Sequence, residues 1–333
     1  MATSTEEADR ASAQLYSALF GSLDATLASL KTLYIAPDSF LHVVPFAQLR
    51  IPDGRYWIQR QALRRLQTGR DLLRPASKGH ADQLIALGGV DFSRSGEIAH
   101  MRPAARTFAA ANRRTAKALK LFKTLPASKE EAEEIAVLYR LARQAPAEVW
   151  KGGQASEQRL KALATAPRVL HLATHGFYLR ATAQRIERPL VLSGLTLAGA
   201  NAGLRGKIGP DGEDGILYSL EVLGLNLQGT ELVTLSACDT AQGVIDYSEG
   251  VYGLVRAFKI AGAHAVLMTL WSVNDTEAKD FMIAFYTAWL QQVRSDPAIA
   301  LRATKLRYIK HRKAALRQPR VWAPYVLVGG SQS

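Results

Sequence analysis

Two side chains in this 333-residue sequence could together do nucleophilic chemistry, the thiol of Cys238 and the imidazole of His175. A thiol within reach of an imidazole gives up its proton near neutral pH, and the thiolate is the nucleophile. Cys238 is the only cysteine, and it leaves the apolar run Leu232-Val233-Thr234-Leu235 through the small, polar Ser236-Ala237. His175 ends a second run, Val169-Leu170-His171-Leu172-Ala173-Thr174, and is followed by Gly176. Nearly continuous hydrophobicity marks both runs as buried strands of a parallel sheet. In open α/β sheets, sites gather beyond the carboxyl ends of the strands, where both residues fall.

A lone cysteine reads equally well as a small buried hydrophobe. The polar exit from its strand favours a reactive role, as does Gly176, which permits close backbone approach to a ligand. In that role His175 takes the thiol proton, Cys238 attacks, and the backbone N–H groups of Gly176 and Cys238 face the developing oxyanion. A third residue that would orient the imidazole is not identifiable from the sequence. His171 and His175 form a His-x-x-x-His spacing, but on a strand those positions lie roughly 13 Å apart, too far for one metal ion. The glutamate of the zinc-protease motif is missing as well, so we expect no metal and no cofactor, and His171 reads as a core or supporting residue.

Charge is concentrated rather than spread. The net charge is +13, and residues 102–129 and 302–320 each hold eight basic residues and no acid. The rest of the chain then has 26 basic against 29 acidic residues. Phe108, Leu119 and Phe122 in the first segment, and Leu301, Leu306, Ile309 and Leu316 in the second, recur at helical spacing. Both segments therefore read as amphipathic helices, either plain solvated faces or docking surfaces for a regulatory protein partner. Nucleic acid is not supported, for want of interleaved aromatics or a zinc-finger spacing. The tract from Leu254 to Trp271 is broken by Arg256, Lys259 and His264, so no membrane span is expected. A single cysteine and the absence of a secretory leader fit a reducing, cytoplasmic setting.

The elements that must position the pair can be read from local pattern. A helix is expected from Ala11 to Lys31, then strands Leu33–Ala36 and Leu41–Val44 joined at Pro37-Asp38-Ser39, and a strand Leu84–Leu87 closed by Gly88-Gly89. Ser128 with Glu131 has the spacing of a capping box opening a helix to about Arg143. Strand Glu148–Trp150, a short helix from Ser156 and the His175 strand come next. A Gly-rich insertion, residues 178–215, reads as a lid or a self-cleaved loop carrying Arg180, Arg185, Arg188, Arg205 and Lys207. A helix from Gly250 to Ala261, a strand from Ala265 to Leu270, a helix from Thr276 to about Val293 and a last strand Tyr325–Val328 complete an alternating α/β pattern.

Several blocks resemble the CHAT-domain peptidases, relatives of caspases and separases. They are Tyr34-Ile35-Ala36-Pro37-Asp38 through Leu41-His42-Val43-Val44-Pro45-Phe46, Ala173-Thr174-His175-Gly176, Pro189 to Leu195, Leu235-Ser236-Ala237-Cys238-Asp239-Thr240, Leu270-Trp271-Ser272-Val273-Asn274-Asp275 and Trp322 to Gly329. The His-before-Cys order, 63 positions apart, is similar to that of caspases. The resemblance implies a caspase-like three-layer α/β/α sandwich with a mostly parallel sheet. It also implies a degenerate half, 1–125, packed on a catalytic half, 126–333. It puts the family's dyad on His175 and Cys238 and implies endopeptidase action on a protein substrate, switched by a partner or upstream signal. By similarity to separase-like relatives, Asp275 would hold a basic P1 residue beside Trp271, with Asp239 and Asp214 as weaker candidates. Asp275 reads equally as a capping residue before the helix at Thr276. The alternative to an enzyme is a catalytically silent scaffold of the same fold that binds partners.

Overall fold

The computed structural model describes residues 5–73, 81–94, 119–178, 189–209, 212–236, 247–292 and 296–329. One sheet contains eight strands: β1 (Thr32–Ile35), β2 (Ala62–Arg65), β3 (Ala81–Val90), β4 (Ala147–Gly152), β5 (Pro167–Leu172), β9 (Leu232–Leu235), β10 (Ala265–Thr269) and β11 (Tyr325–Gly329). Their order across the sheet is β1-β2-β11-β10-β9-β5-β3-β4. Every pairing is parallel except β10 with β11, where Ala265 meets Gly329 and Thr269 meets Tyr325. The sheet thus consists of two parallel blocks meeting at one antiparallel seam. Within the larger block, β4-β3-β5-β9-β10, chain order runs 2-1-3-4-5, and the switch in direction of winding falls between β3 and β5.

Alternation along the strands fills both faces. On one face Ile85, Leu87, Leu170, Leu172, Val233, Leu235, Val266 and Met268 pack with Leu254, Ala257 and Phe258 of the Tyr247–Ala261 helix. On the other, Leu84, Ala86, Val169, Leu232, Ala265 and Leu267 meet the Pro126–Arg143, Asp275–Thr287 and Pro297–Ile309 helices. A third cluster joins Tyr16 of the Thr5–Phe20 helix to Phe46, Leu49 and Trp57. This three-layer sandwich is the architecture that the family resemblance implied, and its mostly parallel sheet is what the alternating pattern implied. One continuous sheet takes strands from both sides of the 125/126 division, with β3 hydrogen-bonded between β4 and β5 and β11 beside β2.

Local expectations fail at several places. Residues 39–43 form a 3-10 turn capped by the Asp38 side chain, not a strand, and β2 takes the place beside β1. The opening helix stops at Phe20, and a separate turn, Asp24–Ala28, follows. Ser128 and Glu131 make no capping box. Pro126 sits in the first turn instead, Ser128 Oγ accepts from Gly89 N at 2.9 Å, and Glu131 is buried 3.0 Å from His171 Nε2. The insertion is structured in part. β6 (Gly176–Tyr178), β7 (Ser193–Thr196) and β8 (Ile216–Tyr218) form an antiparallel sheet, and a helix spans Ala200–Leu204. Finally, the basic stretch 302–320 is divided among the Pro297–Ile309, Ala314–Arg317 and Pro319–Trp322 helices. Of the first basic segment, 102–118 lies outside the described residues and 119–125 is not helical.

Gly88 and Gly89 lie inside β3 rather than closing it, because the Pro126–Arg143 helix rests directly on them. A Cβ on Gly88 would lie 2.1 Å from the Ser128 carbonyl oxygen. Gly88→Ala therefore forces helix and strand apart, and overpacking of this kind costs about 1–3 kcal/mol. A urea midpoint unchanged in Gly88→Ala would contradict this packing.

Candidate active site

β5 and β9 are paired in register, Val169 with Leu232 and Leu172 with Leu235. Ser236 N donates to Leu172 O at 3.0 Å, extending the ladder one step beyond β9. His175 comes three positions after Leu172 in the chain, and Cys238 three positions after Leu235. Cys238 and Asp239 lie outside the described residues. His175 is stitched on both sides: Ala173 N donates to Leu87 O at 2.8 Å, and Thr196 N donates to His175 O at 2.9 Å. Gly176 opens β6, opposite Leu195 of β7.

The His175 ring is 5% exposed and lies between two phenylalanines. Its centroid is 5.1 Å from that of Phe92, just past β3, and 5.6 Å from that of Phe122. Nε2 lies 2.6 Å from the carbonyl oxygen of Lys123. A carbonyl only accepts, so Nε2 carries the hydrogen, and in the neutral ring Nδ1 is then the basic nitrogen. The orienting group invisible in the sequence is thus a main-chain carbonyl.

Asn201 anchors the residue before that carbonyl. Its Oδ1 accepts from Phe122 N at 2.8 Å, its Nδ2 donates to Phe122 O at 2.9 Å, and its backbone N donates to Phe92 O at 2.8 Å. One buried residue in the insertion therefore ties down the backbone of both phenylalanines around the imidazole, Phe122 through its side chain and Phe92 through its own N–H. The sequence offered Asn201 only as part of a Gly-rich stretch. Its signal, an amide among apolar neighbours at the start of a short helix, is too common to single out.

His171 faces the other way. It is fully buried against Glu131 and Tyr286 on the opposite side of the sheet, with Tyr286 Oη 3.3 Å from its Nδ1. The Glu131 oxygen is at ion-pair distance from its Nε2 but off the line of a hydrogen bond. His171 and His175 thus share no site.

The expected substrate-binding acids are spread out. Asp275 lies in the first turn of its helix, where Oδ2 accepts from Ala127 N at 2.8 Å. Asn274 is the cap, accepting from the backbone of Thr276 and Glu277. Trp271 donates through Nε1 to Arg320 O at 3.3 Å. Asp214 accepts from Ile216 N and faces a partly exposed network in which Lys161 Nζ lies 2.6 Å from the buried Glu157, 2.8 Å from Glu221 and 3.1 Å from Glu213. Ligand-capable oxygens of those three glutamates lie within 4.8 Å of one another, with the ammonium among them. Burial works against the charge on Lys161, but Glu157 and Glu221 outweigh it and hold its pKa above the usual range. Burial, then the neighbouring Glu221 and Asp214, pushes Glu157 well up. Burial likewise raises Asp214 to about 7, against the opposing hydrogen bond from Ile216.

A CHAT domain profile matches residues 9–330. The chain belongs to the CHAT domain family. Two relatives, tetratricopeptide repeat protein 28 of Mus musculus and of Homo sapiens, are each 32% identical over 114 residues. That match covers 34% of this chain and 4% of either relative, so the chain spans a small fraction of their length. Among solved structures, the Arg-specific cysteine proteinase gingipain R superposes with a TM-score of 0.52 at 8% identity, over 98% of this CHAT chain and 67% of that one. The chain therefore shares a caspase-like α/β/α fold with that proteinase. Among the described residues no helix is long and apolar enough to cross a membrane.

The acid network makes a signed prediction. An Asp214 pKa raised from 3.8 to about 7 stabilises the fold below pH ~4, and that stability is lost as pH rises through about 7. Asn is permanently neutral and keeps the acceptor for Ile216 N. The difference in thermal midpoint, Asp214→Asn minus wild type, should therefore grow from pH 5 to pH 8. Equal differences at both pH values would show that Asp214 does not titrate in this range.

Proposed function

We propose that this CHAT domain is a cysteine endopeptidase in which Cys238 is the nucleophile and His175 its base. The observation that carries the reading is the β5–β9 register, which starts two three-residue exits, one to each residue, from the same rung of the sheet. The Lys123 carbonyl supports it by committing Nε2 as a donor, so that Nδ1 can take the thiol proton. The thiolate attacks the scissile carbonyl, and the N–H groups of Gly176 and Cys238 stabilise the resulting oxyanion. The imidazolium returns its proton to the leaving amine, leaving an acyl-thioester. Water, deprotonated by His175, then attacks the thioester and frees the carboxylate product and the thiol.

For specificity we propose cleavage after Arg or Lys, with Asp275 as the counter-charge and Trp271 beside it. In this reading the Ala127 N–H bond to Asp275 positions the carboxylate that a basic side chain would approach. Asp214 serves structure, since its carboxyl is engaged with Ile216 and the Lys161 network. Switching by a protein partner belongs to the same proposal, its docking site on the basic 302–320 stretch.

The test pairs labelling with turnover. An arginyl peptide electrophile should alkylate Cys238 stoichiometrically, and His175→Ala should slow labelling by about 10²–10⁴-fold. Absence of labelling with an arginyl probe alongside labelling by an aspartyl one overturns the P1 assignment alone. Labelling by neither, in folded protein, supports the silent scaffold instead. Asn201→Ala should lower kcat by roughly tenfold or more with KM little changed, because it frees the Phe122–Lys123 backbone that aims the imidazole. An equal fall in kcat/KM arising entirely from KM would place Asn201 in substrate binding rather than positioning.

A further inference from the structure

The carbonyl of His175 and the N–H of Gly176 belong to one planar, trans peptide unit, so fixing the direction of the first fixes that of the second. His175 O accepts from Thr196 N at 2.9 Å and from Thr196 Oγ1 at 3.3 Å. Bonded and non-bonded rungs alternate between antiparallel strands. His175 with Thr196 is a bonded rung, so the next, Gly176 with Leu195, is not. The other side of β7 obeys the same alternation: Leu197 N donates to Gly215 O, which turns the main-chain groups of Leu195 toward β8. The Gly176 N–H therefore points away from β7, toward the outer side of β6, an edge strand of its sheet.

Thr174 closes this rung from the main sheet. Its Oγ1 donates to Thr196 O at 2.5 Å, and both threonines are fully buried. Thr196 is thus held at its carbonyl by one hydroxyl, and holds the His175 carbonyl with its N–H and its own hydroxyl. Ala173, the residue before Thr174, donates to Leu87 O of β3, so the tie runs back to the eight-stranded sheet. A valine has the shape of threonine and would fill the same space. What Thr174 adds beyond packing is the hydroxyl.

We infer that Thr174 is a positioning residue for the oxyanion step: through Thr196 its hydroxyl fixes the plane of the His175–Gly176 peptide and so aims the Gly176 N–H. The inference rests on the peptidase reading above, in which that N–H faces the oxyanion. Neither substrate binding nor thiolate formation uses the Gly176 N–H. Loss of the hydroxyl should therefore weaken only those states that carry an oxyanion, and misplacement by about 1 Å can cost 10²-fold in rate.

Two probes of the full chain separate the oxyanion from the rest of the site. A peptide aldehyde ending in Arg, or in Asp should that be the residue the labelling selects, takes the Cys238 sulfur at its carbonyl carbon. The π pair moves to oxygen, which becomes an oxyanion. Iodoacetamide alkylates the same sulfur by displacing iodide and makes no oxyanion. Thr174→Val should weaken the aldehyde by roughly tenfold or more and lower kcat to match, with KM and the alkylation rate unchanged within about twofold. Thr174→Ser, which restores the hydroxyl, should recover both. Thr196→Val removes only the 3.3 Å bond to His175 O and is the second variant, with the aldehyde weakened by about threefold. Aldehyde affinity unchanged in both folded variants overturns the inference alone. So does an equal loss of alkylation, since that would mean a general loosening of the pair. A wild-type chain that iodoacetamide alkylates but neither aldehyde binds overturns the peptidase reading, and this inference with it.

Discussion

The in-register parallel pairing of β5 with β9 is the constraint on which the rest of the site depends. Two adjacent parallel strands that stop at the same rung deliver their next residues to one edge of the sheet. Because side chains alternate with period two, a one-residue slip would send the downstream residues to the opposite face. The buried sequences on both faces forbid that slip. Val169 and Leu232 belong to one core and Leu170, Leu172, Val233 and Leu235 to the other, so the register is locked by packing on two sides. The geometry of the edge is therefore a consequence of the core.

Around that edge the fold uses main-chain groups rather than extra charged side chains. The imidazole is oriented by a carbonyl and flanked by aromatic rings, and a single buried amide ties those parts together. A carbonyl cannot itself ionise, so it sets the tautomer without adding a titrating group beside the histidine. The insertion contributes Asn201 and β7, the middle strand of the small antiparallel sheet, and so forms a wall of the candidate site rather than only a cover over it. Gly88 and Gly89 serve the same end by letting the Pro126–Arg143 helix approach β3, just before the segment that leads to Phe92.

Among the described residues, ionisable groups set against the core are handled differently from place to place. Lys161 sits among glutamates, so its ammonium offsets several carboxylates that burial would otherwise neutralise. His171 and Glu131 meet as a pair between sheet and helix, tying two core layers together with little solvent contact. Lys305 is placed beside Arg65, and burial with that like charge brings its pKa down to about 7, toward the neutral amine. The basic excess of the C-terminal stretch is thus divided between solvent and interior.

As sequence alone, the chain determined its α/β fold class and the approximate place of most strands and helices of the larger block, and it nominated Cys238 and His175 as the candidate pair. Those are properties of local pattern. Hydrophobic runs mark buried strands, and β5 and β9 lie where two of those runs are read. Tertiary structure alone decided everything that required two distant segments to meet. Leu41–Val44 looked like a strand because its apolar content is ambiguous at that length, and β2, which begins 21 positions after Leu41, took the place beside β1. Ser128 and Glu131 matched a capping pattern, yet Gly89 and His171, far off in sequence, claimed their side chains. Lys305 looked like one more solvated cation on an amphipathic helix, and its burial depends on β2 and β11 closing over it. The Lys123 carbonyl could not be found in advance at all, because every residue has one, and its role comes from where Asn201 anchors the residue before it.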